Sequence, residues 1–188
     1  MKELKIKLTG QIKSHFSEIE EKDYEGNRLD FTVRKETVSS VLVFLKDTLG
    51  FKHLSHISCV DWIEENVFEL IFIIWSPTDK LRVFIRTRID RDNPVMDNMD
   101  MIWPQMNTYE RELREMYGIV FEGLDAPDEF LLEDWDGPPP MRRDFDTEAY
   151  AQDTFFERPG REDAQDVRET LTKRTGEDLP DFAKKYSR

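Results

Sequence analysis

The sequence predicts an α+β fold: a small, mainly antiparallel sheet of about four strands with helices packed on it, followed by a long irregular C-terminal extension. Three observations carry this. Strand-like runs at 53–62, 67–75 and 81–89 are separated by connections too short for parallel crossovers, which need about a dozen residues. Two segments ahead of them have helical apolar spacing. Beyond residue 119 periodicity vanishes into acidic residues, aromatics and the run Gly137, Pro138, Pro139, Pro140, which neither a helix interior nor a central strand tolerates.

In the first segment Leu8, Ile12, Phe16 and Ile19 recur at steps of three and four among Lys, Ser and Glu, predicting an amphipathic helix that runs to about Glu21. Residues 23–27 read as a turn and 28–33 as a strand. Thr37 is placed to cap a second helix, along which Val38, Val41, Leu42, Leu45 and Leu49 form one stripe. Gly50 sits where a C-terminal cap belongs. In the last strand Leu81, Val83, Ile85, Thr87 and Ile89 alternate with Arg82, Phe84, Arg86 and Arg88, giving one core face and one face bearing three arginines. Residues 90–100 read as a loop. A helix resumes near Trp103, with Met106, Leu113, Met116 and Tyr117 on one face, and Gly118 ends it. The expected domains are a body over 1–120, an extended acidic and aromatic docking segment over 121–148, and a polar tail over 149–188 that adds little to folding.

Net charge is −13 over 188 residues, and it is local. Residues 1–89 hold 14 acidic and 14 basic side chains, 90–148 hold 17 and 5, and 151–188 hold 9 and 8. A neutral body with one acidic stretch argues against nucleic acid, whose phosphates need a basic face. The stretch suits either a basic partner or a solvated surface. No apolar run approaches the roughly 18–20 residues of a membrane span, and residues 1–10 lack the apolar core of a signal peptide. A cytoplasmic location is therefore expected. Cys59 is the only cysteine, so this chain's thiolates can ligate no iron–sulfur cluster, and its place between apolar residues suits a small buried strand residue.

Candidate chemistry is sparse. His53 and His56 are expected on opposite faces of a strand, which disfavours a metal. Glu133, Asp134 and Asp136 lack the spacing of a calcium loop. There is no glycine-rich phosphate loop and no catalytic triad that sequence can nominate.

Two separated pieces are far more specific: Tyr-Glu-Arg-Glu-Leu-Arg-Glu-Met-Tyr-Gly-Ile-Val-Phe-Glu-Gly over 109–123, and Glu-Asp-Trp-Asp-Gly-Pro-Pro-Pro-Met-Arg-Arg-Asp-Phe over 133–145. Through Glu110, Arg111, Glu112, Tyr117, Gly118, Ile119, Phe121 and Gly123, then Trp135, Gly137, Pro139, Arg142, Arg143, Asp144 and Phe145, the chain resembles the NuoC, or 30-kilodalton subunit, family of complex I and related energy-converting membrane-bound hydrogenases. The resemblance spans roughly residues 1–148. It implies a non-catalytic subunit of a peripheral hydrophilic arm, docking a catalytic large subunit and an iron–sulfur small subunit at the cytoplasmic face of the membrane, which it touches only through the assembly. It implies no cofactor in this chain, the iron–sulfur clusters and any nickel–iron or flavin centre lying in partner subunits. Respiratory members follow the second glycine with His-Pro, whereas this chain has Leu124, Asp125, Ala126, Pro127, Asp128 and Glu129. That departure points to the hydrogenase and sulfur-reductase branch. The NuoC-type subunit of NADH:quinone oxidoreductase is the alternative, and a stand-alone α+β enzyme or free adaptor are readings of another class.

Beside the resemblance, residue chemistry nominates an interface. Arg111 between Glu110 and Glu112 serves either a salt-bridged helix face or a partner. Arg142 and Arg143 stand in an acidic stretch beside aromatics and prolines, and Trp135 is the first choice for an anchor. The expected partner-facing set is Glu110, Arg111, Glu112, Tyr117, Gly118, Phe121, Trp135, Gly137, Arg142, Arg143 and Asp144.

Overall fold

The computed structural model describes residues 2–22, 26–125 and 129–155, and the chain divides into two compact units, Met1–Phe145 and Asp146–Arg188. The expected tail lies outside the described residues from 156 onward. Residues 121–145 belong to the first unit with the body, so no structural boundary falls at 120. In the second unit a short helix, Thr147–Phe155, starts at Asp146, whose Oδ1 accepts the N–H groups of Glu148 and Ala149.

The sheet has five strands, β1 (Glu20–Lys22), β2 (Arg28–Thr32), β3 (His53–Trp62), β4 (Val67–Ser76) and β5 (Leu81–Asp90), in the order β1-β2-β5-β4-β3. The α+β class holds, and β3, β4 and β5 form the expected antiparallel meander. Its turns close through residues in the left-handed region, Asn66 (φ 54°) and Lys80 (φ 51°). β2 enters parallel to β5, with Phe31 opposite Ile85. The long connection between β2 and β5 gives that crossover the length it requires.

The first helix, α1 (Lys2–His15), is shorter than its apolar spacing predicts. Residues 20–22 are taken by β1, where Glu21 pairs with Phe31, and Phe16 instead packs edge-on to Phe44 at 5.6 Å. The second helix opens with a 3-10 turn (Lys35–Thr37), continues as α2 (Val38–Val43) and widens into a π turn (Phe44–Thr48). Thr37 does not cap it: its hydroxyl donates back to the Arg34 carbonyl at 2.9 Å. Gly50 turns the chain away at φ 76°. Leu8, Ile12, Val38, Val41, Leu42 and Leu45 share one core with Leu29, Phe31, Phe72, Ile74, Val83 and Ile85 of the sheet.

α3 (Met106–Tyr117) runs along the edge strand β3. Trp103 Nε1 donates to the Lys52 carbonyl (2.9 Å), Gln105 Nε2 to Leu54, Tyr109 Oη to Ser55 (3.2 Å) and Tyr117 Oη to Cys59 (3.3 Å). An open strand edge invites pairing with another chain, and these four donors occupy its acceptors. A bulge between Leu54 and His56 puts His53 and His56 opposite Trp75 and Ile73, on one face rather than two, because it breaks the period-two alternation. Among the described residues no group of three or more His, Cys, Asp or Glu could hold a metal. Cys59 is buried as expected, and burial, with the Asp61 charge, pushes its thiol up to about 12.

The expected loop at 90–100 contains β6 (Val95–Asp97), which pairs in parallel with β7 (Val120–Glu122) to make a β–α–β unit around α3. Three-residue strands carry too little periodicity to be read locally; a tertiary partner determines them. Glu110 and Phe121, both expected at a partner interface, belong to the protein's own interior here, 0% and 5% exposed. Phe121 pairs with Met96, and Glu110 Oε1 accepts the Met99 N–H at 3.0 Å while Oε2 has no partner. Burial, with the nearby Asp100 charge and against the Met99 N–H, pushes the Glu110 carboxyl up to about 7.

A carboxyl whose folded pKa is raised adds stability fully present below its unfolded pKa and lost as pH rises through the folded value. The window for Glu110 therefore runs from the ordinary glutamate range to about 7. Glu110→Gln keeps an oxygen for the Met99 N–H but cannot ionise. Its stability relative to wild type should rise by about 2 kcal/mol between roughly pH 5 and pH 9, measured by urea unfolding at each pH. A pH-independent difference would place the Glu110 carboxyl in solvent.

Candidate functional site

The two motif pieces, which the sequence separates, meet at the C-terminal end of α3. Gly118 ends the helix in the left-handed region at φ 74°, and its N–H returns to the Arg114 carbonyl. A Cβ there would sit 3.0 Å from Pro139 Cγ and 3.2 Å from the Arg142 guanidinium, so glycine serves both the turn and the close approach of the extension. The Met141 N–H donates to the Met116 carbonyl (2.9 Å) and Arg142 Nε to the Tyr117 carbonyl (2.8 Å). These are two of the carbonyls that a helix end leaves without internal partners. The Arg142 guanidinium lies 5.3 Å from the Phe68 ring centre, and that ring meets Tyr117 edge-on at 5.8 Å.

Beneath this contact lies a buried ion pair. Asp61, near the end of β3, is 5% exposed, and Arg91, just past β5, is 6% exposed. The guanidinium binds the carboxylate at two points, Nε to Oδ1 at 2.8 Å and NH2 to Oδ2 at 3.1 Å. The extension closes onto the pair from outside: Asp144 Oδ1 accepts from Arg91 NH2 at 2.6 Å, and the Arg143 backbone N–H donates to Asp61 Oδ2 at 2.9 Å. The Arg143 side chain reaches Glu64 at 2.8 Å.

Burial pushes the Asp61 carboxyl up, but the Arg91 guanidinium, the Arg143 N–H and the Arg91 charge outweigh it and hold the carboxyl below the usual range. Hydrogen bonding to Arg91 likewise lowers Asp144. Groups depressed in the fold contribute stability above their ordinary pKa and lose it as pH falls through the depressed value.

Further along, residues 129–135 are strapped to the outer side of α3. The Glu115 carboxylate accepts three consecutive backbone N–H groups, from Phe130, Leu131 (2.8 Å) and Leu132 (3.2 Å). Arg111 lies over the Phe130 ring at 4.6 Å and reaches the Glu129 carbonyl at 3.4 Å. Trp135 packs at 5.9 Å against Phe145 and donates to the Pro138 carbonyl at 3.1 Å, with Gly137 half-buried in the bend.

Most of the nominated interface thus has an intramolecular occupation. Arg111, Tyr117, Gly118, Arg142, Arg143 and Asp144 stitch the extension to the body, while Trp135 braces the extension internally through Pro138 and Phe145. Glu112 is half-buried on α3. The extension leaves other groups exposed: Leu131 (52%) and Met141 (54%), and the carboxylates Glu133, Asp134 and Asp136 that lie between them in sequence. Sequence reasoning missed Asp61 and Arg91. A signal existed, since a carboxylate inside an apolar strand run requires a cation.

Removing one partner of a buried pair strands the other charge, whereas an exposed partner matters little. Arg91→Leu should therefore destabilise the chain by about 3–5 kcal/mol in urea unfolding, and Asp144→Asn, whose side chain is half exposed, by less than about 1 kcal/mol. Equal losses would show that Asp61 and Arg91 do not form a buried pair.

With this geometry in place, the likeness to known proteins is informative. Residues 31–151 match the family described as respiratory-chain NADH dehydrogenase, 30 Kd subunit. The C-type subunit of NADH-quinone oxidoreductase from Roseiflexus sp. (strain RS-1) is 34% identical over 126 residues, 65% of this chain and 71% of that one. The C-type subunit of F(420)H(2) dehydrogenase from Methanosarcina mazei is 31% identical over 125 residues, 63% and 76%. A chain of the membrane-bound sulfane sulfur reductase, an archaeal respiratory membrane complex, superposes with a TM-score of 0.72 at 27% identity, covering 85% of this chain and 95% of that one. No helix among the described residues is long and apolar enough to cross a membrane. The match to the family over more than half of the chain decides it: the chain belongs to the 30 Kd subunit family of respiratory-chain NADH dehydrogenase.

Proposed function

We propose that the chain is a non-catalytic structural subunit of the peripheral arm of a membrane-bound oxidoreductase complex, where it docks the catalytic large subunit and the iron–sulfur small subunit. The carrying observation is the extension itself: a segment without regular structure, fixed to α3 by its own backbone groups, that turns Leu131 and Met141 to solvent. Holding irregular backbone rigid before binding reduces the ordering cost of association. Apolar side chains framed by charge are the usual make-up of an interface core and rim.

The chain supplies no redox centre in this reading; iron–sulfur clusters, and a nickel–iron or flavin centre, belong to its partners. The single cysteine and its raised thiol pKa support this, because a metal ligand must be a thiolate. The parent complex is read as the sulfur-reductase or membrane-bound hydrogenase type. The superposition on the sulfane sulfur reductase chain over 95% of its length supports that branch, together with the missing His-Pro after Gly123. The 34% identity to an NADH-quinone oxidoreductase relative favours the second reading, a subunit of that enzyme. Membrane contact comes through the assembly, at the cytoplasmic face.

Truncating Trp135 or Arg142 is a poor test of docking, since Trp135 braces the bend of the extension and Arg142 ties it to α3. Leu131→Asp combined with Met141→Asp changes only exposed side chains. Capture of the co-expressed large subunit should fall at least tenfold while the melting midpoint of the chain stays within a degree or two of wild type, the loss of about 2 kcal/mol expected for interface anchors. Arg34→Ala, on the far side of an exposed pair with Glu18, should leave capture unchanged. Undiminished capture by the double variant would overturn the docking role of the extension.

A further inference from the structure

The sheet has a second face, opposite the helices, whose charges follow a pattern. Directly paired residues share a face, so Arg28, Arg82 and Trp75 form one row across β2, β5 and β4, and Asp30, Phe84 and Ile73 form the next. Further along the same face come Arg86 and Ile71, then Arg88 and Glu69. At that end every arginine is matched. Arg86 binds Asp30 at 2.8 Å and Glu69 at 3.0 Å, and Arg88 binds Glu65 at 2.6 Å. Arg28 pairs with Asp30 as well.

The opposite end differs. A groove of about 590 Å³ is lined by Asn27, Arg28, Trp75, Pro77, Lys80, Arg82 and Phe84, and no helical residue contributes to it. Three of these seven are cations and two are aromatic, with no carboxylate among them. Arg28 lies 3.9 Å over Phe84, and Arg82 lies 5.7 Å from the Trp75 ring centre. Among the described residues neither Lys80 nor Arg82 makes an ion pair. The carboxylate adjacent to Lys80, Asp79, instead accepts the Ser76 hydroxyl at 2.6 Å and closes the β4–β5 turn. Among the described residues Lys80 and Arg82 thus stand without a carboxylate at one end of a face whose other arginines, Arg28 included, are matched.

We propose that this groove is a docking site for an acidic segment of a partner protein, with carboxylates on Lys80 and Arg82 and apolar side chains laid over Trp75 and Phe84. Arginine stacked on an aromatic ring is held in place before it meets a carboxylate, which lowers the ordering cost of the contact. Charge complementarity selects the occupant. Three cations in an otherwise acidic chain are too few to track a nucleic-acid backbone, whereas alternate carboxylates on an extended peptide match the spacing of one sheet face. This site lies on other residues than α3 and the extension, and its test does not depend on the docking role assigned to them.

The experiment is fluorescence anisotropy with the purified full chain, using a fluorescein-labelled peptide of alternating glutamate and leucine and its counterpart with lysine for glutamate. The expected result is saturable binding of the acidic peptide that weakens as salt is raised, no saturable binding of the lysine peptide, and at least tenfold weaker binding by Lys80→Glu combined with Arg82→Glu. Both positions are exposed, so the variant should keep its melting midpoint. Should it not, Arg82→Ala is used instead, with at least threefold weaker binding expected. Absence of saturable binding, equal binding of the lysine peptide, or unaltered binding by the variants would each overturn the proposal. So would salt-sensitive dimerisation abolished by the same variants, which would assign the groove to a second copy of this chain.

Discussion

The fold of the first unit depends on one interaction more than any other, the two-point pairing of Asp61 with Arg91 where the meander ends. A carboxylate and a guanidinium so deeply buried are costly to desolvate, and an apolar pair of the same shape could be as stable. What the ion pair adds is addressable valence. Arg91 keeps a donor for Asp144 and Asp61 keeps a lone pair for the Arg143 N–H, so an irregular segment 53 residues beyond Arg91 has one place to land. Apolar packing alone would hold such a segment without fixing its register.

The family motif therefore acts first within the chain. Its glycine makes room for a proline, its arginine satisfies an open helix-end carbonyl, and its aspartate completes a buried charge network. Once those groups are engaged, Leu131, Met141 and the neighbouring carboxylates are what the extension leaves exposed. The same economy of donors appears along β3, whose open edge is occupied by Trp103, Gln105, Tyr109 and Tyr117.

The sequence made the meander legible because three ten-residue runs rich in Ile, Val, Phe and Trp, the last of them cleanly alternating, are joined by connections too short for anything but hairpins. It made the end of α3 legible through Gly118. The rest required tertiary information. β1, β6 and β7 are three residues each, and β1 occupies ground that the spacing of Phe16 and Ile19 assigned to a helix. Thr37 had the residue type of a cap, but a 3-10 turn had already begun before it. Glu110 was expected to face a partner, and its burial beside the Met99 N–H, 11 residues earlier, is a tertiary feature. Asp61 and Arg91 are 30 residues apart, a separation that no local pattern spans. Most residues nominated for a partner interface have intramolecular contacts in the structure, and residue chemistry alone does not distinguish an internal anchor from an external one.

Amide hydrogen exchange on the isolated full chain addresses the central claim most directly, because it reads the extension's backbone residue by residue without a partner present. Locking by the Asp61–Arg91 node requires the amides of Leu131, Met141 and Arg143 to exchange slowly, within reach of the protection found in β4 and β5. Exchange of those three amides at the rate of an unstructured peptide, with β4 and β5 still protected, would contradict it and show that the extension is ordered only by a partner.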